Sequence, residues 1–205
     1  DILEHWVTLS QNGKFHAILA TSSIKEAIEY YRLIKAQSDL NITTLFDPNI
    51  DNNGAAHDKA AGLLEIVEDY NQKFGQDFTF ATHAKFKKDI AARLGHKKPY
   101  AHIAKNPEQQ INLLIVVDQM LTGFDSKWLN TLYLDKVIKY ENIIQAFSRT
   151  NRLFNEIEKP FGTIRYYRKP HTMEQHINRA VKLYSGDKPI ALFVQRLESN
   201  LNKLN

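Results

Sequence analysis

The chain has 205 residues, 43% hydrophobic and 11% aromatic, and a net charge of +4; this is enough apolar material for one globular domain and excludes bulk disorder. Its longest apolar run, Ile111 to Val117 with Asn112 inside it, is far short of the roughly 18 to 20 residues of a membrane-spanning helix. With no cysteine it holds no disulfide, thiolate zinc site or cysteine nucleophile, which suits a reducing, cytoplasmic location. It starts at Asp1 with no charged-then-apolar leader, and is expected to be part of a longer protein.

Phe15 to Thr21 is a short apolar run that reads as a buried strand. Ser23 and Glu26 have capping-box spacing, and Ile24, Ala27, Ile28, Tyr31 and Ile34 follow at helical period, so a helix begins directly after the strand. Ile42 to Phe46 is a second strand, and the turn formers of residues 47–54 make the best candidate for a mobile loop. Leu63, Val67, Tyr70 and Phe74 mark a helix closed by Gly75; Phe86, Ile90 and Leu94 mark another closed by Gly95. Phe78 to Phe80 between them is a strand or a connection, and His96 to Gln110 reads as surface loop. Asn112 to Val117 is the clearest strand, apolar on both faces as in the middle of a parallel sheet. Two more strands are predicted at Thr131 to Leu134 and Thr163 to Tyr167, separated by a helix from about Tyr140 to Leu153. Helices are also predicted over His171 to Tyr184 and Pro189 to Leu204.

This alternation predicts an α/β domain, a parallel sheet with helices on both faces, over residues 1–170, followed by carboxy-terminal helices in 171–205. Charge divides unevenly: residues 1–126 carry 13 basic and 16 acidic side chains, residues 127–205 carry 14 and 7. The basic surplus at the carboxyl side suits phosphate-bearing partners, and equally a solvated surface.

Ligands of open parallel sheets gather at the carboxyl ends of strands. After the clearest strand comes Asp118-Gln-Met-Leu-Thr-Gly-Phe-Asp125. Gly123 lets backbone N–H groups approach a phosphate, Thr122 offers a hydroxyl, and Asp125 accepts from a ribose hydroxyl or an arginine; a turn glycine with a helix-capping Asp would read the same way. Further on stands Gln145-Ala-Phe-Ser-Arg-Thr-Asn-Arg152. Arg149 and Arg152, three apart, leave one helix face and could clamp a phosphate chain, or simply form a surface pair.

Gln-x-x-x-Arg-x-x-Arg on a helix, preceded by Thr-Gly-Phe-Asp after a buried strand, resembles motifs VI and V of superfamily 2 helicases, with Phe15 to Ser23 as motif IV. Met120 to Lys127, Leu132 to Lys136 and Ile144 to Arg152 resemble most closely the motor (R) subunit of type I restriction enzymes, and the order and spacing carry the likeness across residues 15–170. The resemblance implies a second RecA-like motor domain. ATP and Mg2+ would lie between it and a first motor domain of the same chain, which supplies the Walker A lysine and the magnesium-binding carboxylates. Arg149 and Arg152 would face the γ-phosphate, Gln145 would orient the nucleotide or attacking water, and Gly123 with Asp125 would couple nucleotide to DNA. Thr122, Thr21 and Ser22 would lie near the DNA backbone. Implied partners are double-stranded DNA, the nuclease domain of the same chain, and methyltransferase and specificity subunits.

Three positions depart from the family pattern: Ser148 and Asn151 stand where glycines precede the two arginines, and Val117 where motif V has threonine. Gly-x-x-x-x-Gly-Lys-[Ser/Thr] and Asp-Glu-x-His are absent, which fits a second motor domain and predicts that the chain alone is inactive. His171 and His176 are five apart, which does not align them on a helix, and no metal site is expected. Another superfamily 2 motor and a non-catalytic α/β assembly module remain as alternatives.

Overall fold

The computed structural model describes residues 1–47, 56–117, 126–139, 141–150, 152, 154, 158–159 and 161–185. Five strands, β1 (His16–Thr21), β2 (Ile42–Leu45), β3 (Leu113–Val117), β4 (Leu129–Asp135) and β5 (Thr163–Tyr166), form one parallel sheet in the order β2-β3-β1-β4-β5. Every residue of β1 and β3 is buried, and all of β4 but its last. Successive strand side chains point to opposite faces, so unbroken burial means that both faces are covered. The helices are α1 (Trp6–Ser10), α2 (Ile24–Gln37), α3 (Ala56–Phe74), α4 (His83–Leu94), α5 (Glu141–Thr150) and α6 (Pro170–Ser185). The architecture is α/β and RecA-like, as the alternation of strands and helices predicts. No helix among the described residues is long and apolar enough to cross a membrane.

Helix α2 begins where the capping spacing placed it. The Ser23 side chain accepts from the Glu26 N–H at 3.2 Å, and the Glu26 carboxylate accepts in turn from the Ser22 N–H at 3.0 Å. Its stripe of Ile24, Ala27, Ile28, Tyr31 and Ile34 is buried in the core, each large member contributing roughly 1.5–3 kcal/mol. Helix α3 ends at a left-handed Gly75 (φ 63°), with Gln76 N–H donating to the Asn71 carbonyl at 3.0 Å.

Gly95 also follows a helix end, but it keeps φ −87°; the left-handed residue is His96 (φ 48°), and Lys97 N–H closes the turn on the Ala92 carbonyl at 2.9 Å. Histidine tolerates that conformation better than most residues, and here its ring is stacked on Trp128 with centroids 3.9 Å apart. Phe78 to Phe80 is a connection, because the Asn71 side chain takes up both the Phe78 N–H and its carbonyl. The stretch 96–110 is more than surface loop. Two short 3-10 turns bring Ile103 and Gln110 into the interior, and buried Arg93 donates to the Gln109 carbonyl and side chain at 3.0 Å.

Beyond β5, helix α6 does not stand apart. Met173, Ile177, Ala180 and Val181 are buried in the same core as the sheet, and His176 Nδ1 lies 2.9 Å from the Ile138 carbonyl. The turn-rich residues 48–54 and the second carboxy-terminal helix expected over 189–204 lie outside the described residues.

Candidate functional site

The sheet separates the expected site residues between its two ends. Each strand runs in the same direction, so a helix that follows a strand must return antiparallel to it. Helix α5 leaves the carboxyl end of β4 and over ten residues covers about 15 Å; its last turn therefore lies beside the amino ends of the strands. The contact of Thr150 with Gly162, the residue before β5, marks that end: a Cβ on Gly162 would fall 2.3 Å from the Thr150 carbonyl oxygen.

At the carboxyl end, β1 and β4 are neighbours whose following connections diverge, one toward β2 and the other toward β5, which is the topological switch point of the sheet. Thr21 and Ser22 lie there. Thr21 is 0% exposed and its hydroxyl donates to the carbonyls of Val116 (3.3 Å) and Ser23 (3.2 Å), so its side chain faces inward and is withdrawn from any DNA backbone. Ser22, half-buried, donates to the Asp135 carbonyl and accepts from Arg168, both at 3.2 Å. Arg168 also binds Glu26 Oε1 at 3.0 Å and both oxygens of Asp135 at 3.2 Å. Tyr30 donates to Asp135 at 2.9 Å, and burial together with that bond pushes its hydroxyl up to about 12. Nothing in residue spacing marks this network, since its members come from three separate connections.

Thr122, Gly123 and Asp125 lie outside the described residues. Their flanks are fixed. Val117 ends β3 in the core, and on the far side the Ser126 hydroxyl donates to the Leu94 carbonyl at 2.8 Å and accepts from Trp128 N–H at 3.1 Å. Val117 therefore stands at the carboxyl end of the sheet and Leu129, which starts β4, at its amino end, a strand's length of about 17 Å apart.

On α5, Ile143 and Ala146 are fully buried while Gln145 is exposed and Arg149 half-buried. Gln145 and Arg149, four apart, share the outer face. Arg152 does not belong to that face. The helix stops at Thr150, whose hydroxyl turns back to the Phe147 carbonyl at 3.2 Å, so the three-residue spacing of the arginines does not align them by helical geometry. Arg152 is instead located through its backbone, whose carbonyl accepts from Lys159 Nζ at 2.6 Å.

That end gathers Lys14, Lys127 and Lys159, with Glu158 paired to Lys14. Lys159 Nζ also donates to the Lys127 carbonyl at 3.1 Å, and Lys127 Nζ lies 4.9 Å from the Phe154 ring centre. His96 is held neutral, its pKa lowered to about 4 by burial and by Lys127, and buried His16 is lowered by desolvation, His96 and Lys159. Guanidinium and ammonium groups suit phosphate oxygens. They do not suit Mg2+, which needs oxygen ligands. Among the described residues, the group of carboxylate and histidine side chains close enough to share an ion is Asp1, Glu4 and His5, on a different segment. Lys159 and Arg168 are the residues that sequence reasoning missed; a single basic residue in a polar stretch has no periodicity or spacing to mark it.

Comparison with known proteins gives the family to which this chain is similar. The family described as type I restriction enzyme subunit R domain 3 matches residues 13–169. The chain is 35% identical over 190 residues to the type I restriction enzyme SauCOLORF180P endonuclease subunit of Staphylococcus aureus, covering 86% of this chain and 19% of that protein. It is 36% identical over 194 residues to the SsaAORF53P endonuclease subunit of Staphylococcus saprophyticus, covering 90% and 20%. A putative MjaIXP endonuclease subunit from Methanocaldococcus jannaschii is 31% identical over 164 residues, 80% and 13% of the two chains. The chain thus spans about a fifth of the length of the staphylococcal relatives it matches. With the motif order, the parallel sheet and the matched span in agreement, the chain belongs to the type I restriction enzyme R subunit family, in the part described as domain 3.

Proposed function

We propose that this chain is the second motor domain of a type I restriction enzyme's R subunit and contributes to ATP-dependent translocation along double-stranded DNA before cleavage. The observation that carries the reading is the position of Arg149 and Arg152 at the amino end of the sheet, a strand's length away from Ser22 at the carboxyl end. One end then serves the nucleotide and the other the nucleic acid.

In this reading a first motor domain of the same polypeptide holds ATP and Mg2+. Arg149 and Arg152 are supplied from across the cleft and stabilise charge on the transferring phosphoryl group. Gln145, on the same face as Arg149, orients the nucleotide or the attacking water. The loop of Thr122, Gly123 and Asp125 carries the change from the nucleotide end toward the DNA end, where Ser22 and Thr122 give contacts to phosphate that are independent of sequence, as a tracking motor needs. Closure of the cleft when ATP binds shifts the two domains and advances the DNA. The nuclease domain, the methyltransferase and the specificity subunits complete the assembly in the cytoplasm, and the chain by itself lacks turnover.

DNA-stimulated ATP hydrolysis by the full-length subunit tests this. Arg149→Ala is expected to lower kcat by about 10³-fold or more with ATP binding within a few-fold of wild type, and Arg152→Ala to behave likewise. Full turnover in both variants would remove the motor reading and favour an assembly module.

A further inference from the structure

Lys159 is 1% exposed, one of the largest fully buried side chains of the domain. Among the described residues no carboxylate pairs with it; its ammonium donates to the backbone carbonyls of Arg152 at 2.6 Å and Lys127 at 3.1 Å. Burial alone pushes its pKa down, to about 8. Taking an ammonium out of water without a counter-ion is unfavourable by several kcal/mol, and two carbonyl dipoles offset only part of that. A neutral donor would join two carbonyls at less cost.

The two segments it joins are the ones on which the proposed chemistry depends. Lys127 is two residues past Asp125. Arg152 is the second arginine of the proposed phosphate-facing pair, and it sits two residues past the end of α5. A second link runs beside the ammonium: the Phe154 ring meets Trp128 at 4.6 Å and Phe15 edge-on at 5.6 Å, with Lys127 Nζ 4.9 Å from its centre. Trp128 is in turn bonded to the central strand, its carbonyl accepting from His16 N–H at 3.1 Å. The backbone that bears Arg152 is thereby fixed to Lys127 and Trp128, and through them to β1.

We propose that Lys159 is a positioning residue that joins Lys127, at the start of the approach to β4, to Arg152 through two backbone carbonyls, and so presents the Arg152 guanidinium in register with the nucleotide. The inference rests on the motor reading given above. Preorganised charge counts in the transition state more than in the ground state, so a loosened Arg152 lowers kcat with little change in KM.

The test is a double-mutant cycle on DNA-stimulated ATP hydrolysis in the full-length subunit, with Lys159→Met, Arg152→Ala and the pair, beside Arg149→Ala. Lys159→Met is expected to lower kcat by about 10- to 100-fold while KM for ATP stays within about threefold. In the Arg152→Ala background the same substitution should have under half its effect on the logarithm of kcat, because the side chain it positions is gone. If Lys159→Met does not fold, the cycle is run with Lys159→Gln, a shorter neutral side chain that cannot span both carbonyls and must show the same non-additivity. Losses that add, or unchanged kcat in the Lys159 variant beside an impaired Arg149→Ala, overturn the positioning role and leave the motor reading in place. Full activity in Arg149→Ala and Arg152→Ala removes the motor reading and this inference together.

Discussion

Arg168, the second residue beyond β5, lays its guanidinium against Asp135, the last residue of β4, with Nε 3.2 Å from one carboxylate oxygen and Nη2 3.2 Å from the other. The fork geometry leaves Nη2 for Glu26 and Nη1 for Ser22. One side chain therefore ties the carboxyl ends of β4 and β5 to the start of α2. The hydrogen bonds to Asp135 and Glu26 raise the pKa of Arg168 further, so the charge is permanent.

Arg168→Ala should destabilise the fold by about 1 kcal/mol, a figure kept low because the guanidinium is partly exposed and because Asp135 retains the Tyr30 hydroxyl. Arg168→Lys should recover only part of the loss, since an ammonium cannot match both carboxylate oxygens. Urea unfolding of the three proteins checks this, and equal midpoints for wild type and Arg168→Ala would show that the network is energetically idle.

Gly162→Ala should cost about 1–3 kcal/mol, because overpacked sites displace their neighbours. The added Cβ would lie 2.3 Å from the Thr150 carbonyl oxygen and 2.4 Å from its Cβ, and backbone must yield, since no flexible side-chain tip stands in the way. The end of α5 moves with it, one residue from Arg149. Thermal unfolding together with ATP turnover of the parent subunit should show both a lowered midpoint and a lowered kcat; a variant as stable as wild type would contradict the close approach.

Stability should fall on acidification below about pH 6.5. His16 and His96 are both held below their ordinary pKa by burial, His96 to about 4, and His83 moves the same way. Their neutral forms belong to the folded state, so the unfolded chain takes up protons first. The stabilisation is present above the ordinary histidine value and is lost as pH drops toward the folded one, at up to about 1.4 kcal/mol per pH unit for each proton excluded. His96→Phe keeps a ring against Trp128 and removes one titrating group. Its urea midpoint should change less between pH 7 and pH 5 than that of wild type, and identical slopes would exclude His96 as a contributor.

The elements that were legible are those whose signal is local. The buried stripe of α2 and its Ser23–Glu26 cap follow from side-chain period and from the need to satisfy free N–H groups at a helix start. The strands β1, β3 and β4 follow from apolar runs that only a sheet covered on both faces tolerates. The short helix α1 was not legible, because five residues are too few for any period to show. Residue type marks Gly95 as the close of α4, while the left-handed conformation falls to His96, whose ring gains a stacking partner that is far away in sequence.

For the site, the order of Thr122, Gly123, Asp125, Gln145, Arg149 and Arg152 was in the sequence, and with it the family. The sequence alone determined a parallel α/β domain and the order of its motifs, because period, capping and motif spacing are properties of neighbours along the chain. Only the tertiary structure decided that Arg149 and Arg152 stand at the opposite end of the sheet from Ser22, that Thr21 turns inward, and that Lys159 and Arg168 each join segments from separate connections. Those relationships depend on how crossovers return antiparallel to the strands and on which buried carbonyls and carboxylates must find a donor, and both are settled when distant segments pack together.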